Sequence, residues 1–270
     1  MVSFRSADGT LLTSDTRGSG PPLVLVHGIG GDAARWGTSR RLAEHFTLHA
    51  LDRRGRGASE DGPTYALARE VEDVVGLVEA IGGDVFVLGH SFGGLLALEA
   101  AARTRVAKLL VYEPYAPSSP VPEPSATTRS FFAMLDDPEA VLVRFLVEIV
   151  QMSAADVSMF RKTPWWPRRL AAAPTIPREM AAVETHAIDL AALAARGTKT
   201  RFLLGEHSPA FLREATVRLH AALPSSDVVA LAGQGHIAMD VAPDLFEREV
   251  RSFFGNHACA TVRPRRLRER

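Results

Sequence analysis

Residues 85–103 read VFVLGHSFGGLLALEAAAR. The four apolar residues at the start predict a buried β-strand, and the leucine- and alanine-rich end predicts an α-helix. Between them lies a G-x-S-x-G motif, Gly89 to Gly93, which places a serine on a tight strand-to-helix turn. Side chains at the flanking positions would collide in such a turn, so glycine is required there. Ser91 is therefore a candidate nucleophile at the positive end of the following helix.

The same alternation of strand and helix runs along most of the chain. Short apolar runs predict strands at 2–6, 11–16, 23–26, 47–52, 85–89, 108–113, 201–205 and 227–233. Helical patterns lie near 65–81, 92–103, 209–222 and 243–254. The turn at Asp8-Gly9 predicts that the first two strands form a hairpin. The pattern predicts the α/β class, with a mostly parallel sheet that is covered by helices on both faces.

A long segment after residue 113 breaks this alternation. Five prolines lie between Pro114 and Pro124, too many for a helix or a central strand. Helices are predicted at 137–151, 153–162 and near 178–195, with proline-rich interruptions at 163–169 and 173–179. We interpret residues 117–197 as a helical insertion over one end of the sheet, rather than an extension of the core helices. The predicted division is a core of 1–116 and 198–258, the insertion, and a basic tail at 259–270.

The composition narrows the class of partner. The 270 residues carry 31 basic and 31 acidic side chains, which argues against nucleic acid or an anionic membrane as the main partner. A small-molecule substrate is expected instead. The lone cysteine, Cys259, fits a reducing compartment, and no signal or membrane-spanning pattern is seen, so a cytoplasmic location is expected. The five arginines from Arg263 to Arg270 predict a solvated tail.

Two backbone amides are candidates for holding a developing oxyanion. The N–H of Phe92, directly after the serine, would point at that charge. The loop after the strand at 23–26 begins with His27-Gly28, and the N–H of Ile29 is the best second donor there. Main-chain donors place no demand on the side chain.

The same loop supports an alternative hypothesis. Gly28, Gly30 and Ala33 fit G-x-G-x-x-A after a strand, and Asp52 ends the next strand about twenty residues later. This pattern is typical of dinucleotide binding and favours an NAD(P)-dependent oxidoreductase. That hypothesis leaves both the serine turn and a late Gly-His pair unexplained.

The late pair is Gly235-His236, which follows the apolar strand at 227–233. A histidine in a glycine-flanked loop at that position can serve Ser91 as general base. The other histidines lack this context: His90 should point away from Ser91, and His207 is a weaker candidate. No histidine spacing indicates a metal site.

These motifs, in this order, resemble the α/β-hydrolase superfamily over nearly the whole chain. The resemblance rests on His27-Gly28, a structural turn at 52–59, the serine turn and Gly235-His236. It implies a mostly parallel eight-stranded sheet, a cap inserted after the sixth strand, and a cofactor-free serine hydrolase acting on a small ester or lactone. Carbon–carbon bond hydrolysis and cofactor-free perhydrolysis use similar triads and stay open as alternatives. Tryptophans at 165 and 166 would either line the pocket from the cap or anchor the cap on the core.

The resemblance leaves the acidic member of the triad open. In most members the acid lies three residues after the glycine that ends the seventh strand, and that position here is Ser208. Other members carry it at the end of the sixth strand, where this chain has Glu113. We prefer Glu113 over Glu206 and expect Asp52 to hold its turn. A catalytically inactive binding protein, which has lost its acid, is the remaining alternative.

Overall fold

The computed structural model describes residues 1–255, so the predicted basic tail at 259–270, Cys259 and residues 256–258 of the predicted core lie outside the described residues. Eight strands form one sheet in the order β1-β2-β4-β3-β5-β6-β7-β8. The strands are β1 Val2–Arg5, β2 Leu11–Arg17, β3 Pro22–Val26, β4 Thr47–Asp52, β5 Phe86–His90, β6 Lys108–Tyr112, β7 Thr200–Gly205 and β8 Ser226–Leu231. Strand β2 is antiparallel to both neighbours and every other pair is parallel. The predicted fold class is confirmed.

Helices cover both faces of this sheet. They are α1 Leu67–Ile81, α2 Phe92–Arg103, α3 Ala126–Phe132, α4 Pro138–Arg144, α5 Ala154–Phe160, α6 Trp166–Ala172, α7 Ile176–Glu184, α8 Leu190–Arg196, α9 Ala210–Ala222, α10 Ala238–Val241 and α11 Pro243–Phe254. Successive residues of a strand point to opposite faces. In β5, Val87 packs in the apolar cluster that contains α1 and α2, while Leu88 packs in the cluster that contains α11. No helix of the described part is long and apolar enough to cross a bilayer.

Helices α3 to α8 lie in the chain between β6 and β7, hereafter the β6–β7 segment (residues 113–199). The predicted helix at 137–151 is α4 followed by one π-helical turn, Phe145–Ile149. The predicted helix near 178–195 is wrong as one element, because it is α7 and α8 with a break between them. The sequence analysis also missed α3 and α6. Proline lies in the first turn of α4, α6 and α7, where it starts a helix instead of interrupting one.

A buried ionic cluster joins this segment to the core. Nη1 of Arg53, directly after β4, donates to both carboxylate oxygens of Glu70 at 2.8 Å. Its Nη2 donates to Glu179 of α7 at 3.0 Å, and Arg56 pairs with the same carboxylate. These side chains are almost completely buried. Two cations face two anions, as a buried charge requires.

Candidate active site

Ser91 occupies a strained turn between β5 and α2. Its φ of 56° and ψ of −122° are unusual for a residue with a side chain. A Cβ added to Gly89 would lie 2.4 Å from the carbonyl oxygen of Gly93, and one added to Gly93 would lie 2.2 Å from that of Val26. The requirement for glycine on both sides of the serine is therefore confirmed, and the turn holds the serine side chain at the carboxyl edge of the sheet.

His236 and Glu113 meet at the same edge of the sheet. Nδ1 of His236 lies 2.6 Å from Oε2 of Glu113, which is completely buried. Because a carboxylate oxygen only accepts, Nδ1 carries the proton and Nε2 is left to accept one. No hydrogen bond within residues 1–255 joins Ser91 Oγ to His236 Nε2, but both residues line one cavity. Such contacts commonly tighten only when substrate is bound.

The second oxygen of Glu113 is held by two donors from the end of β7. The backbone N–H of Gly205 and the hydroxyl of Ser208 each donate to Oε1 at 2.5 Å. Glu113 itself has a φ of 46°, a left-handed conformation that is costly for glutamate. Ser208, which stands three residues after Gly205, thus donates a hydrogen bond to the carboxylate that follows the neighbouring strand β6.

The competing acid lies elsewhere. Glu206 is exposed and accepts a hydrogen bond from the backbone N–H of Gly233 at 2.8 Å. Of the two candidate carboxylates, the structure brings only Glu113 to His236.

The two candidate oxyanion donors flank Ser91. Within the described residues, no acceptor takes the backbone N–H of Ile29 or of Phe92. A Cβ on Gly28 would lie 3.0 Å from Cβ of Ser91, so the loop after β3 approaches the serine closely. Arg53 Nη2 donates to the carbonyl oxygen of Gly28 at 3.0 Å and so ties this loop to the buried ionic cluster. Both amides are free to donate to an atom bound at Ser91.

His90 and Tyr112, at the ends of β5 and β6, hold the loop that carries His236, and neither was predicted from the sequence to do so. Nε2 of His90 lies 2.9 Å from the carbonyl oxygen of His236, and the two rings lie 4.5 Å apart between centroids. Burial, reinforced by the neighbouring His236, lowers the pKa of His90 well below its usual value, so the ring is neutral and Nε2–H donates. The hydroxyl of Tyr112 donates to Gly235 and accepts from the N–H of Ala238 at 3.1 Å. The sequence signal that could have identified them is their position at the ends of two predicted strands, β5 and β6.

The structure engages Asp52 in its own turn. Oδ1 accepts from the N–H of Ala33 at 2.7 Å, and Oδ2 accepts from the N–H of Ala58 at 3.0 Å. Asp52 is buried and holds its own turn, as expected, whereas the dinucleotide hypothesis requires an acid that is open to a ribose.

A small cavity adjoins the serine and has a volume of about 20 Å³. It is lined by Ile29, Ser91, Tyr115, Phe145, Ile149, Val150, Phe211, Leu212 and His236. The tryptophans are absent from this lining. The ring of Trp165 lies against Gly37 of the core, where an added Cβ would be 3.1 Å away, and Trp166 packs edge-on against Phe160. Of the two alternatives, anchoring on the core describes Trp165, whereas Trp166 packs within the β6–β7 segment.

Comparison with known proteins agrees with this geometry. Residues 23–249 match the alpha/beta hydrolase family. The crystal structure of an alpha/beta hydrolase from Sphaerobacter thermophilus DSM 20745 superposes with a TM-score of 0.81 at 35% sequence identity. That match covers 94% of this chain and 100% of the other.

Curated relatives are more distant or match over a shorter stretch. The pimeloyl-[acyl-carrier protein] methyl ester esterase of Nitrosospira multiformis is 39% identical over 36% of this chain, which spans only 40% of that esterase. The 2-(acetamidomethylene)succinate hydrolase of Mesorhizobium japonicum is 24% identical over 88% of this chain and 89% of its own length. Since the family matches most of the chain and the sheet carries a serine turn, a histidine and an acid at one edge, this protein belongs to the α/β hydrolase family.

Proposed function

We propose that this enzyme is a cofactor-free serine hydrolase that cleaves a small ester or lactone through an acyl-enzyme. The observation that carries the proposal is the 2.6 Å contact between His236 Nδ1 and the buried Glu113, beside a serine in a strained turn. The names of relatives, an esterase and a hydrolase, support it. The substrate is a small molecule, and the lone Cys259 fits a reducing, cytoplasmic setting.

The first half-reaction forms the acyl-enzyme. Ser91 Oγ attacks the substrate carbonyl carbon while Nε2 of His236 takes the hydroxyl proton. Glu113 stays ionised and stabilises the imidazolium through Nδ1–H. The carbonyl oxygen becomes an oxyanion that accepts hydrogen bonds from the N–H groups of Ile29 and Phe92, and one such donor contributes roughly 10²- to 10³-fold in rate. His236 then protonates the leaving oxygen, and the carbon–oxygen bond breaks.

The second half-reaction regenerates the serine. A water molecule gives a proton to His236 and attacks the acyl carbon, and the same two amides hold the new oxyanion. The bond to Ser91 breaks as His236 returns its proton to Oγ. The carboxylic acid then leaves the site.

We infer that the β6–β7 segment determines which substrate is accepted. Tyr115, Phe145, Ile149 and Val150 of that segment supply apolar walls beside Ser91. We infer that residues 117–197 act as a cap, because Phe145, Ile149 and Val150 of that range form one wall of the cavity while the reacting groups come from strand ends.

Intact-mass measurement after treatment with a fluorophosphonate probe tests the proposal. The wild type should gain one adduct, and Ser91→Ala should gain none and lose about 10⁶-fold in kcat. Ser158→Ala is the matched control, since it removes an exposed hydroxyl of α5 and leaves the nucleophile, and it should still be labelled. An unlabelled wild type, or an adduct that persists on Ser91→Ala, would overturn the proposed function.

A further inference from the structure

Three arginines and two aspartates meet where α6 of the β6–β7 segment faces the loop after β3. Arg168 pairs with Asp32 at 2.7 Å, and Arg35 pairs with Asp240. Each aspartate therefore already has an arginine partner. Arg169 has no carboxylate within 4.0 Å among residues 1–255. The group therefore carries one cation that no protein anion contacts.

The uncompensated guanidinium lies on the loop that supplies the Ile29 amide. Nη1 of Arg169 donates to the carbonyl oxygen of Ile29 at 3.2 Å. The same nitrogen would lie 3.5 Å from a Cβ added to Gly31 and 3.8 Å from one added to Gly30. A neutral carbonyl takes one of the five N–H donors of an arginine and neutralises none of its charge. Arg169 thus contacts the residue whose N–H is a proposed oxyanion donor, and four of its N–H donors are not used by that contact.

The environment makes this cation costly. Burial, with repulsion from Arg35, lowers the pKa of Arg169 to about 10, although Asp240 and Asp32 partly offset the effect from a distance. Arg169 is half-buried, and a charge that is partly removed from water without a contacting counter-charge destabilises a protein, a cost that an anionic ligand relieves. A guanidinium binds a carboxylate through two parallel hydrogen bonds, which fixes the orientation of the bound group.

We propose that Arg169 is a binding subsite for a carboxylate on the substrate. The substrate class is then an ester or lactone that carries a second, free carboxylate, with its apolar part against Phe145, Ile149 and Val150. This inference rests on the proposed serine hydrolase function, because the subsite is defined by its place beside the Ile29 amide. Arg169 binds the substrate at a distance from the reacting carbonyl.

The test compares anionic and neutral esters of the same acids. Monomethyl succinate, glutarate and adipate each carry a free carboxylate, and the corresponding dimethyl esters carry none. In pH-stat assays the wild type should favour the monomethyl ester of at least one acid. Arg169→Gln should lower kcat/KM for that monoester by roughly 10- to 100-fold and leave the diester within about twofold. Arg129→Gln, at an exposed arginine of α3 in the same segment, is the matched control and should change neither, while Arg169→Lys should recover part of the loss.

A second measurement does not need turnover of these esters. Free glutarate should slow fluorophosphonate labelling of Ser91 in the wild type and have no effect in Arg169→Gln. A labelled wild type that prefers the diesters, or that glutarate does not protect, overturns the carboxylate subsite but leaves the hydrolase. An equal loss on both ester types in Arg169→Gln also overturns it, since that result makes Arg169 a support for the Ile29 loop. Failure of the hydrolase itself is separate, since Ser91 would then not be labelled.

Discussion

Two buried glutamates, one at the sheet edge and one in the β6–β7 segment, show two ways of keeping a carboxylate inside this protein. Glu113 and Glu179 both have completely buried side chains. Glu113 is met by a backbone amide, a hydroxyl and one histidine. Glu179 is met by the guanidinium groups of Arg53 and Arg56.

The surroundings of the two glutamates suit different roles, one in catalysis and one in holding two parts of the fold together. Around Glu113 the neighbours leave one oxygen for an imidazole ring, which takes the serine proton in the proposed mechanism. Around Glu179 two guanidinium groups face two carboxylates, so the charges balance without a substrate. The first arrangement suits a catalytic acid and the second suits a tie between the core and the β6–β7 segment.

The largest expected effect is on activity at the sheet edge. Glu113→Gln should lower kcat by roughly 10⁴-fold, because an amide neither stabilises the imidazolium nor fixes the tautomer of His236. Steady-state hydrolysis of an ester that the wild type turns over measures this. Glu206→Gln is the control and should stay near the wild-type rate. A large loss in the control with a small loss in Glu113→Gln would reverse the assignment of the acid.

The second largest effect is on the free energy of unfolding, and it concerns Glu179. Glu179→Gln should destabilise the fold by roughly 3–5 kcal/mol, because Arg53 and Arg56 would then share one buried carboxylate. Urea unfolding gives this value directly. The exposed Glu148, paired with Arg144, is the control, and Glu148→Gln should cost under about 1 kcal/mol. If Glu179→Gln stops catalysis at unchanged stability, the proposed division of roles is wrong.

The smallest expected effect is on the pH dependence of stability, and it concerns His90, which extends the comparison to a side chain that is buried in its neutral form. The pKa of His90 lies well below its ordinary 6.5, mainly through burial, so the unfolded chain binds the proton first as the pH falls. Stability should therefore be flat above about pH 6.5 and fall below it, by about 1.4 kcal/mol per pH unit for this group.

His90→Gln should reduce that slope, as urea unfolding at about pH 7.5 and about pH 5.5 would measure. The pKa of the equally buried His27 is lowered in the same direction by the same main cause, and it remains in the variant. The slope should decrease without vanishing. An unchanged slope would show that His90 is not buried in its neutral form.

Much of the sheet edge could be predicted from sequence because its determinants are local. Ser91, Glu113 and His236 each follow an apolar run that becomes a parallel strand, and parallel strands end at one edge. The contacts of Ser208 with Glu113, and of Arg169 with Ile29, join residues 95 and 140 positions apart, and no local pattern encodes them. The start of α6 was missed because Pro167 carries the same signal whether it begins a helix or ends one.

The small cavity beside Ser91 bears on kinetics. A volume of about 20 Å³ holds about one water molecule, so we expect a wall to move before an ester binds beside Ser91. Two of the wall residues, Phe145 and Ile149, begin and end the single π-helical turn, a geometry that is rare and often found at functional sites. Motions of such segments take microseconds to milliseconds. For a substrate whose chemical step is fast, kcat should then fall as the viscosity of the solvent rises and should depend little on the basicity of the leaving group.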